Sequence, residues 1–251
     1  MSSTTEISIV IPVYNSATIL NELVERITKA VNQTHEIILV DDGSKDNSWN
    51  TIVKLKENYP TIKGIQLNKN YGQHNALLCG ITSAIGKNII TMDDDLQHPP
   101  EEIPKLISKH EETGAQIIYG IPHNKKHDKI RKAGSYFVRK SSKYFANNPN
   151  GEGSSFRLIN AEIINHIKLH HSNNYIFIDE IIHWYTSDIA LVDVEHHERK
   201  SGKSGYTFAR LVRLYLSVFI NYTANPLKLM IYGGVISSIV FFLIGVRFII
   251  K

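Results

Sequence analysis

A single cysteine in 251 residues, Cys79, excludes an internal disulfide framework. It lies in the apolar run "ALLCGI" and reads as a buried small hydrophobe, with a reducing, cytoplasmic compartment as the default. The start "MSSTTE" leads into "ISIVIPV", which is too short for a secretory apolar region and lacks a basic flank, so no signal peptide is expected. No glycine-rich phosphate loop follows that first apolar run, only "PVYNSA", which disfavours a redox dinucleotide protein. Charge is also unspectacular: 28 Lys+Arg against 24 Asp+Glu give +4, with the basic residues gathered in two segments, so a general nucleic-acid binder is not indicated. The twelve histidines include two adjacent pairs, His170–His171 and His196–His197, and neither has metal-site spacing. No internal repeat and no linker is visible.

The first 120 residues alternate short β-branched runs with helical patterns, as parallel βαβ units do. "EISIVIPV" is a buried-strand run, and Leu20, Leu23, Val24, Ile27 and Val31 follow with helical spacing. "EIILV" then ends in "DDGSKDNS", "KGIQL" in "NKNYG", and "NIITM" in "DDDLQ". Ligands of open α/β sheets bind beyond the carboxyl ends of strands, so these polar clusters can converge on one crevice. Beyond the turn-rich "NNPNGEGSS", the stretches "SSFRLIN", "FIDEIIHWY" and "IALVDVEHH" suggest that the α/β domain continues.

Hydropathy changes near the other end. From Leu229 to Val246 the chain carries no charge, and it is flanked by Lys228 and Arg247. That length is close to the roughly 20 residues that span a bilayer, so one transmembrane helix is expected, a buried core helix being the alternative. Its small residues Gly233, Gly234, Ser237 and Ser238 permit self-association. Before it, Leu211, Leu214, Tyr215, Val218, Phe219 and Tyr222 share one helical face, which fits a membrane-surface helix or a helix packed on the core. The expected division is an α/β domain over residues 1–205, an amphipathic juxtamembrane helix over 206–226 and a membrane helix over 227–251.

Three adjacent carboxylates, Asp93, Asp94 and Asp95, repel one another unless water or a cation neutralises them. Strand alternation sends Asp93 and Asp95 to one side and Asp94 to the other. With the Gln97 carbonyl they form an all-oxygen set suited to Mg²⁺ or Mn²⁺, which would neutralise a diphosphate leaving group; a solvated loop is the bland alternative. Pro99 and Pro100 stiffen the following turn and start a helix. Asp41 and Asp42 close the second strand in "DDGS", either as a turn and helix cap or as acceptors for a nucleobase or ribose.

"IVIPVYN", "VDDGSKDNS", "NKNYGQHNALLCG", "MDDDLQHPPEEIP" and "ERKSGKSGY", in that order and before a membrane helix, resemble the inverting family 2 glycosyltransferases of the GT-A fold. Within them the chain looks most like the polyprenyl-phosphate glycosyltransferases, the group of the dolichol-phosphate mannose synthases. The resemblance implies an α/β nucleotide-sugar-binding domain with a mainly parallel sheet flanked by helices. It implies that Pro12 and Tyr14 wall the nucleotide pocket, that Asp42 contacts base or ribose with Asp93 and Asp94 also on the nucleotide side, and that Asp93, Asp95 and Gln97 hold the metal. Where the family often has an acidic residue after "YN", this chain has Ser16. Arg199, Lys203 and Ser204 match the segment that closes over phosphates, and Arg131 and Arg157 are further acceptor-phosphate candidates. A polyprenyl-phosphate acceptor is already ionised near neutral pH and needs no strong base, whereas a sugar hydroxyl does; Asp179 is the conditional base for that case. The implied partners are a nucleotide-sugar donor, a polyprenyl phosphate or other lipid-linked acceptor, and the membrane, with the catalytic domain in the cytoplasm. A noncatalytic nucleotide-binding scaffold is the rival. Many relatives carry two or more membrane helices, so a single- or multi-pass protein is compatible with this sequence.

Overall fold

The computed structural model describes residues 5–122, 154–168, 178–197 and 225–250. The chain divides into two compact units, residues 1–132 with 152–203, and residues 133–151 with 204–251.

In the first unit the apolar runs become strands and the 3.6-period segments become helices. The order is β1 (Ile7–Val13), α1 (Leu20–Ala30), β2 (His35–Asp41), α2 (Ser48–Asn58), β3 (Ile62–Gln66), α3 (Gln73–Ser83), β4 (Asn88–Thr91), a 3₁₀ turn (Pro100–Glu102), α4 (Ile103–Thr113), β5 (Ile117–Pro122), β6 (Arg157–Asn160), α5 (Ala161–Lys168), α6 (Ile178–Tyr185) and β7 (Ile189–Val194). Seven strands form one sheet in the order β3-β2-β1-β4-β6-β5-β7. All neighbours are parallel except β6, which runs antiparallel to both β4 and β5. The fourth strand ends at Thr91, one residue short of the sequence-based expectation, although Met92 N–H still reaches Val10 O at 3.2 Å.

The sheet is buried on both faces, which is why its strands read as unbroken apolar runs. On one face Leu20, Leu23 and Ile27 of α1, Ile52 and Leu55 of α2 and Leu106 of α4 pack on Ile9, Ile11, Ile37, Leu39 and Phe156. On the other, Ala76 and Ile81 of α3, Ile163 and Ile167 of α5 and Ile181 and Ile182 of α6 cover Val10, Ile38, Ile89, Tyr119 and Ile159. Each large aliphatic side chain so buried contributes roughly 1.5–3 kcal/mol. Cys79 departs from expectation: it is half-buried, because the helical turn of α3 sets it at the margin of the second core, not inside it. Chain connectivity reverses between β1 and β4, and the crevice outside their carboxyl ends is where such sheets bind ligands.

In the second unit, α7 (Asn225–Ile250) is a 26-residue helix. Leu227–Ile250, whose most apolar 18-residue stretch has a mean hydropathy of 2.3, is long and apolar enough to cross a membrane. Residues 206–224, the proposed amphipathic segment, lie outside the described residues, as does the first histidine pair.

Candidate functional site

The crevice rim is built from the loops after β1, β2, β3 and β4. Two of its residues are forced into the left-handed region without being glycine, Asn15 at φ 55° and Leu96 at φ 57°. Such conformations cost energy and persist only where surroundings over-determine them. Around Asn15 they do: its N–H donates to Ser44 Oγ at 2.9 Å, and its Oδ1 accepts from Lys45 N–H at 2.8 Å.

The rim carboxylates divide their work. Asp42 is 3% exposed, and its two oxygens accept the N–H groups of Tyr71 at 2.7 Å and Gly72 at 2.8 Å. Burial pushes its carboxyl up, and those two hydrogen bonds oppose the shift. The loop carrying Asp42 turns at Gly43, φ +67°, where a Cβ would stand 2.6 Å from the carbonyl carbon of Lys69, so only glycine lets the two loops close. Asp46 accepts from Ala17 N–H at 3.1 Å and from Ser48 Oγ at 2.6 Å, joining the second loop to the first.

In the acidic triplet, beyond the end of β4, Asp93 and Asp94 have different partners. Asp93 faces Gln73 and Ser155, whose Nε2 and Oγ donate to Oδ1 and Oδ2, each at 2.6 Å. Asp94 faces the other way and accepts Ser16 Oγ at 2.6 Å and Tyr14 N–H at 3.1 Å on one oxygen. Burial pushes the Asp94 carboxyl up to about 6, against those two bonds. Asp95, 8% exposed, accepts Gln97 N–H at 3.1 Å. Gln97 O in turn accepts His197 N–H at 2.8 Å, which brings the segment after β7 onto the triplet loop. His98 stacks on Phe156 with centroids 5.2 Å apart and meets His196 edge-on at 5.0 Å. Burial lowers the His98 pKa to about 4, so this imidazole is neutral.

The donor chemistry suits a hard divalent cation. Asp93 is an all-oxygen donor oriented by side-chain bonds to both of its oxygens, and Asp95 and Gln97 lie on the same short loop. No group of three or more His, Cys, Asp or Glu side chains that could hold a metal occurs among the described residues. An ion here would take two carboxylates and an amide, and complete its shell with substrate oxygens and water, as Mg²⁺ commonly does.

Behind the triplet lies a buried charge. Arg157, 1% exposed, donates Nε–H to Thr91 Oγ1 at 3.1 Å and pairs through Nη1 with Asp179 Oδ1. Tyr119 OH donates to the same Asp179 oxygen at 3.0 Å. His74, next to Gln73, is held neutral by burial, which lowers its pKa to about 4 while Asp179 opposes the shift. Arg157 is therefore a buried cation paired with Asp179, and the charge of Asp93 also acts on it. Of the wall residues, Pro12 is buried in β1 opposite Val40, and Tyr14 is 44% exposed. Arg131, Arg199, Lys203 and Ser204 lie outside the described residues.

Four residues of this site were not singled out from sequence for these roles: Gln73, Ser155, Tyr119 and, as a partner of Asp94, Ser16. Gln73 opens a helix just after a loop glycine and Ser155 stands two residues before a strand, positions that place a polar side chain at a sheet rim. Tyr119 in the middle of an apolar strand carried no signal.

A family model described as glycosyl transferase family 2 matches residues 8–167. Among solved structures, the mannosyltransferase PcManGT from Pyrobaculum calidifontis in complex with GDP-Man and Mn²⁺ superposes with a TM-score of 0.60 at 16% identity, over 84% of this chain and 61% of that one. Glucosyl-3-phosphoglycerate synthase from Mycobacterium tuberculosis in complex with Mn²⁺, UDP-Glc and phosphoglyceric acid gives 0.61 at 14% identity, over 87% and 79%. Residues 1–349 of S. aureus TarS give 0.55 at 15% identity, over 76% and 60%. The chain thus spans about three fifths of the length of the TarS and PcManGT chains. At these identities the likeness is one of fold.

Proposed function

The chain belongs to glycosyl transferase family 2 and has the GT-A fold, and from that premise we propose a membrane-anchored inverting enzyme that moves a sugar from a nucleotide sugar to a polyprenyl phosphate. Asp93, Asp95 and Gln97 would hold Mg²⁺ or Mn²⁺. The ion, when bound, supplies neutralisation of charge developing on the leaving nucleoside diphosphate. Tyr14 offers an open aromatic wall for the nucleoside, and Asp42 serves it indirectly by holding the 71–72 backbone. The neighbours bound to GDP-Man and to UDP-Glc with Mn²⁺ support the donor side of this reading.

The acceptor reading is carried by the pairing of Asp179 with Arg157. A hydroxyl acceptor requires a base to take its proton. If Asp179 took it, Arg157 would keep its charge in the interior without the carboxylate bonded to it, and breaking such a buried pair costs several kcal/mol. Asp179 is better used as the partner of Arg157, and an acceptor oxygen that arrives already ionised needs no base. A phosphate oxygen then attacks the anomeric carbon opposite the nucleoside diphosphate, the carbon–oxygen bond to the diphosphate breaks, and no proton moves. Arg199 and Lys203, two and six residues past His197, are the proposed phosphate clamp. His197 N–H is bonded to Gln97 O, which supports this assignment by bringing the chain just before them onto the proposed metal loop. Leu227–Ile250 would keep the site beside the bilayer that holds such an acceptor.

The deciding experiment offers the detergent-solubilised protein labelled UDP- and GDP-sugars with Mn²⁺ and, separately, a polyprenyl phosphate and a neutral glycolipid. Transfer to the phosphate alone, lost in Asp95→Ala, is expected. Transfer to the glycolipid alone would overturn the acceptor reading and return Asp179 to the role of base. Undiminished transfer by Asp95→Ala would overturn the metal site.

A further inference from the structure

Asp94 is bonded away from its two neighbours. Asp93 is held from α3 and from Ser155, two residues before β6, and Asp95 turns into its own loop at Gln97. Asp94 instead grips the β1–α1 loop, through Ser16 Oγ at 2.6 Å and Tyr14 N–H at 3.1 Å. Those two residues flank Asn15, whose left-handed φ of 55° makes the loop costly to form unless it is tied down. The loop carries the 44%-exposed ring of Tyr14. One residue therefore has covalent neighbours among the metal-site carboxylates and hydrogen-bond partners in the nucleoside wall.

We propose that Asp94 and Ser16 are positioning residues that couple the metal and nucleoside halves of the donor site. Drawing Asp93 and Asp95 onto a cation fixes the backbone between them, and Asp94 hands that order to the Tyr14 loop. Less ordering is then left for the nucleoside to impose, so it binds more tightly, and by linkage the nucleoside tightens the metal equally. The inference rests on the donor reading above, and it separates the triplet into two residues facing ligand and one holding the wall.

A nucleoside without phosphates isolates this route, since it has no diphosphate to bridge to the ion. Uridine and guanosine binding is measured on the full chain in detergent by magnetic resonance titration, with and without Mg²⁺, beside UDP and GDP. In the unmodified protein Mg²⁺ is expected to tighten the favoured nucleoside about fivefold. Ser16→Ala and Asp94→Asn, each shown folded by its melting transition, bring that factor near one, while the matching diphosphate stays metal-dependent through direct contact. A nucleoside affinity indifferent to Mg²⁺ in the unmodified protein, or a metal effect that survives in both variants, overturns the coupling. Failure of UDP and GDP alike to bind with Mg²⁺ refutes the donor reading and takes the coupling with it.

Discussion

Arg157 of β6 and Asp179 of α6 form an ion pair in the interior, with the guanidinium 1% and the carboxylate 15% exposed, and Tyr119 donates to the shared carboxylate oxygen. Removing one member of such a pair is far more damaging than removing both, because the survivor is left buried and charged. Asp179→Ala is expected to cost about 3–5 kcal/mol. The double variant Arg157→Met/Asp179→Leu should recover most of that loss. Urea denaturation of the parent protein, Asp179→Ala and the double variant measures the difference.

Ser155 and Gln73 hold Asp93, a proposed metal ligand, through one hydrogen bond to each of its oxygens. Outer partners of metal ligands typically contribute 10–100-fold in metal affinity or activity. Ser155→Ala is therefore expected to raise the Mn²⁺ concentration needed for nucleotide-dependent thermal stabilisation by about tenfold or more, with little change in the melting point of the ligand-free protein. A titration of melting temperature against Mn²⁺ at fixed nucleotide reads both quantities.

Gly43 and Gly114 share a left-handed backbone, φ +67° and +65°, but differ in surroundings. At Gly114, the residue closing α4, a Cβ meets nothing within 4 Å, so Gly114→Ala should cost only the conformational strain, about 1–2 kcal/mol. At Gly43 the same substitution also drives a carbon into the Lys69–Asn70 backbone. Gly43→Ala should be clearly the more destabilising of the two and should also weaken nucleotide binding, whereas Gly114→Ala leaves binding intact. Parallel melting curves and nucleotide titrations test the contrast.

Arg26 bridges α1 to the 3₁₀ turn through two bonds to Glu101, at 2.9 and 2.7 Å. The Arg26 hydrogen bond holds the Glu101 carboxyl below its ordinary value. A depressed carboxylate stabilises the fold above its unfolded pKa, and that contribution fades as pH falls through the folded value. The pair is largely exposed, so its worth is at most about 1 kcal/mol. Glu101→Gln should melt slightly below the parent protein at pH 7, and the gap should close below about pH 4. Equal gaps at both pH values would show that the pair contributes through packing alone.

Much of the architecture was legible because burial on both faces turns a strand into a short apolar run bounded by turn residues. β1, β2 and β4 are cases of this, and the helical spacing of Leu20, Leu23, Val24 and Ile27 marked α1 equally well. Direction was not legible: the four residues of β6 carry no trace of running antiparallel to β4 and β5. At the site, alternation alone separated Asp94 from Asp93, but which loop each would face depends on contacts 78 and 62 residues away in sequence. Arg157 shows the limit most clearly. A cation in the strand "SSFRLIN" reads as a phosphate contact, and only Asp179, 22 residues on, and Tyr119 reveal it as one member of an internal ion pair.

Asp42, Asp46 and Asp94 each accept the backbone N–H of a residue in another loop, namely Tyr71 and Gly72, Ala17, and Tyr14. Every amino acid except proline brings the same N–H to such a bond, whereas only an acidic or closely similar side chain can receive it in that geometry. Mutational tolerance around the crevice is consequently lopsided. The side chains at positions 14, 17 and 71 can drift to suit a new ligand while the loops stay where they are, and the three aspartates cannot. A fold wired in this way can change what it recognises without first having to relearn its own shape.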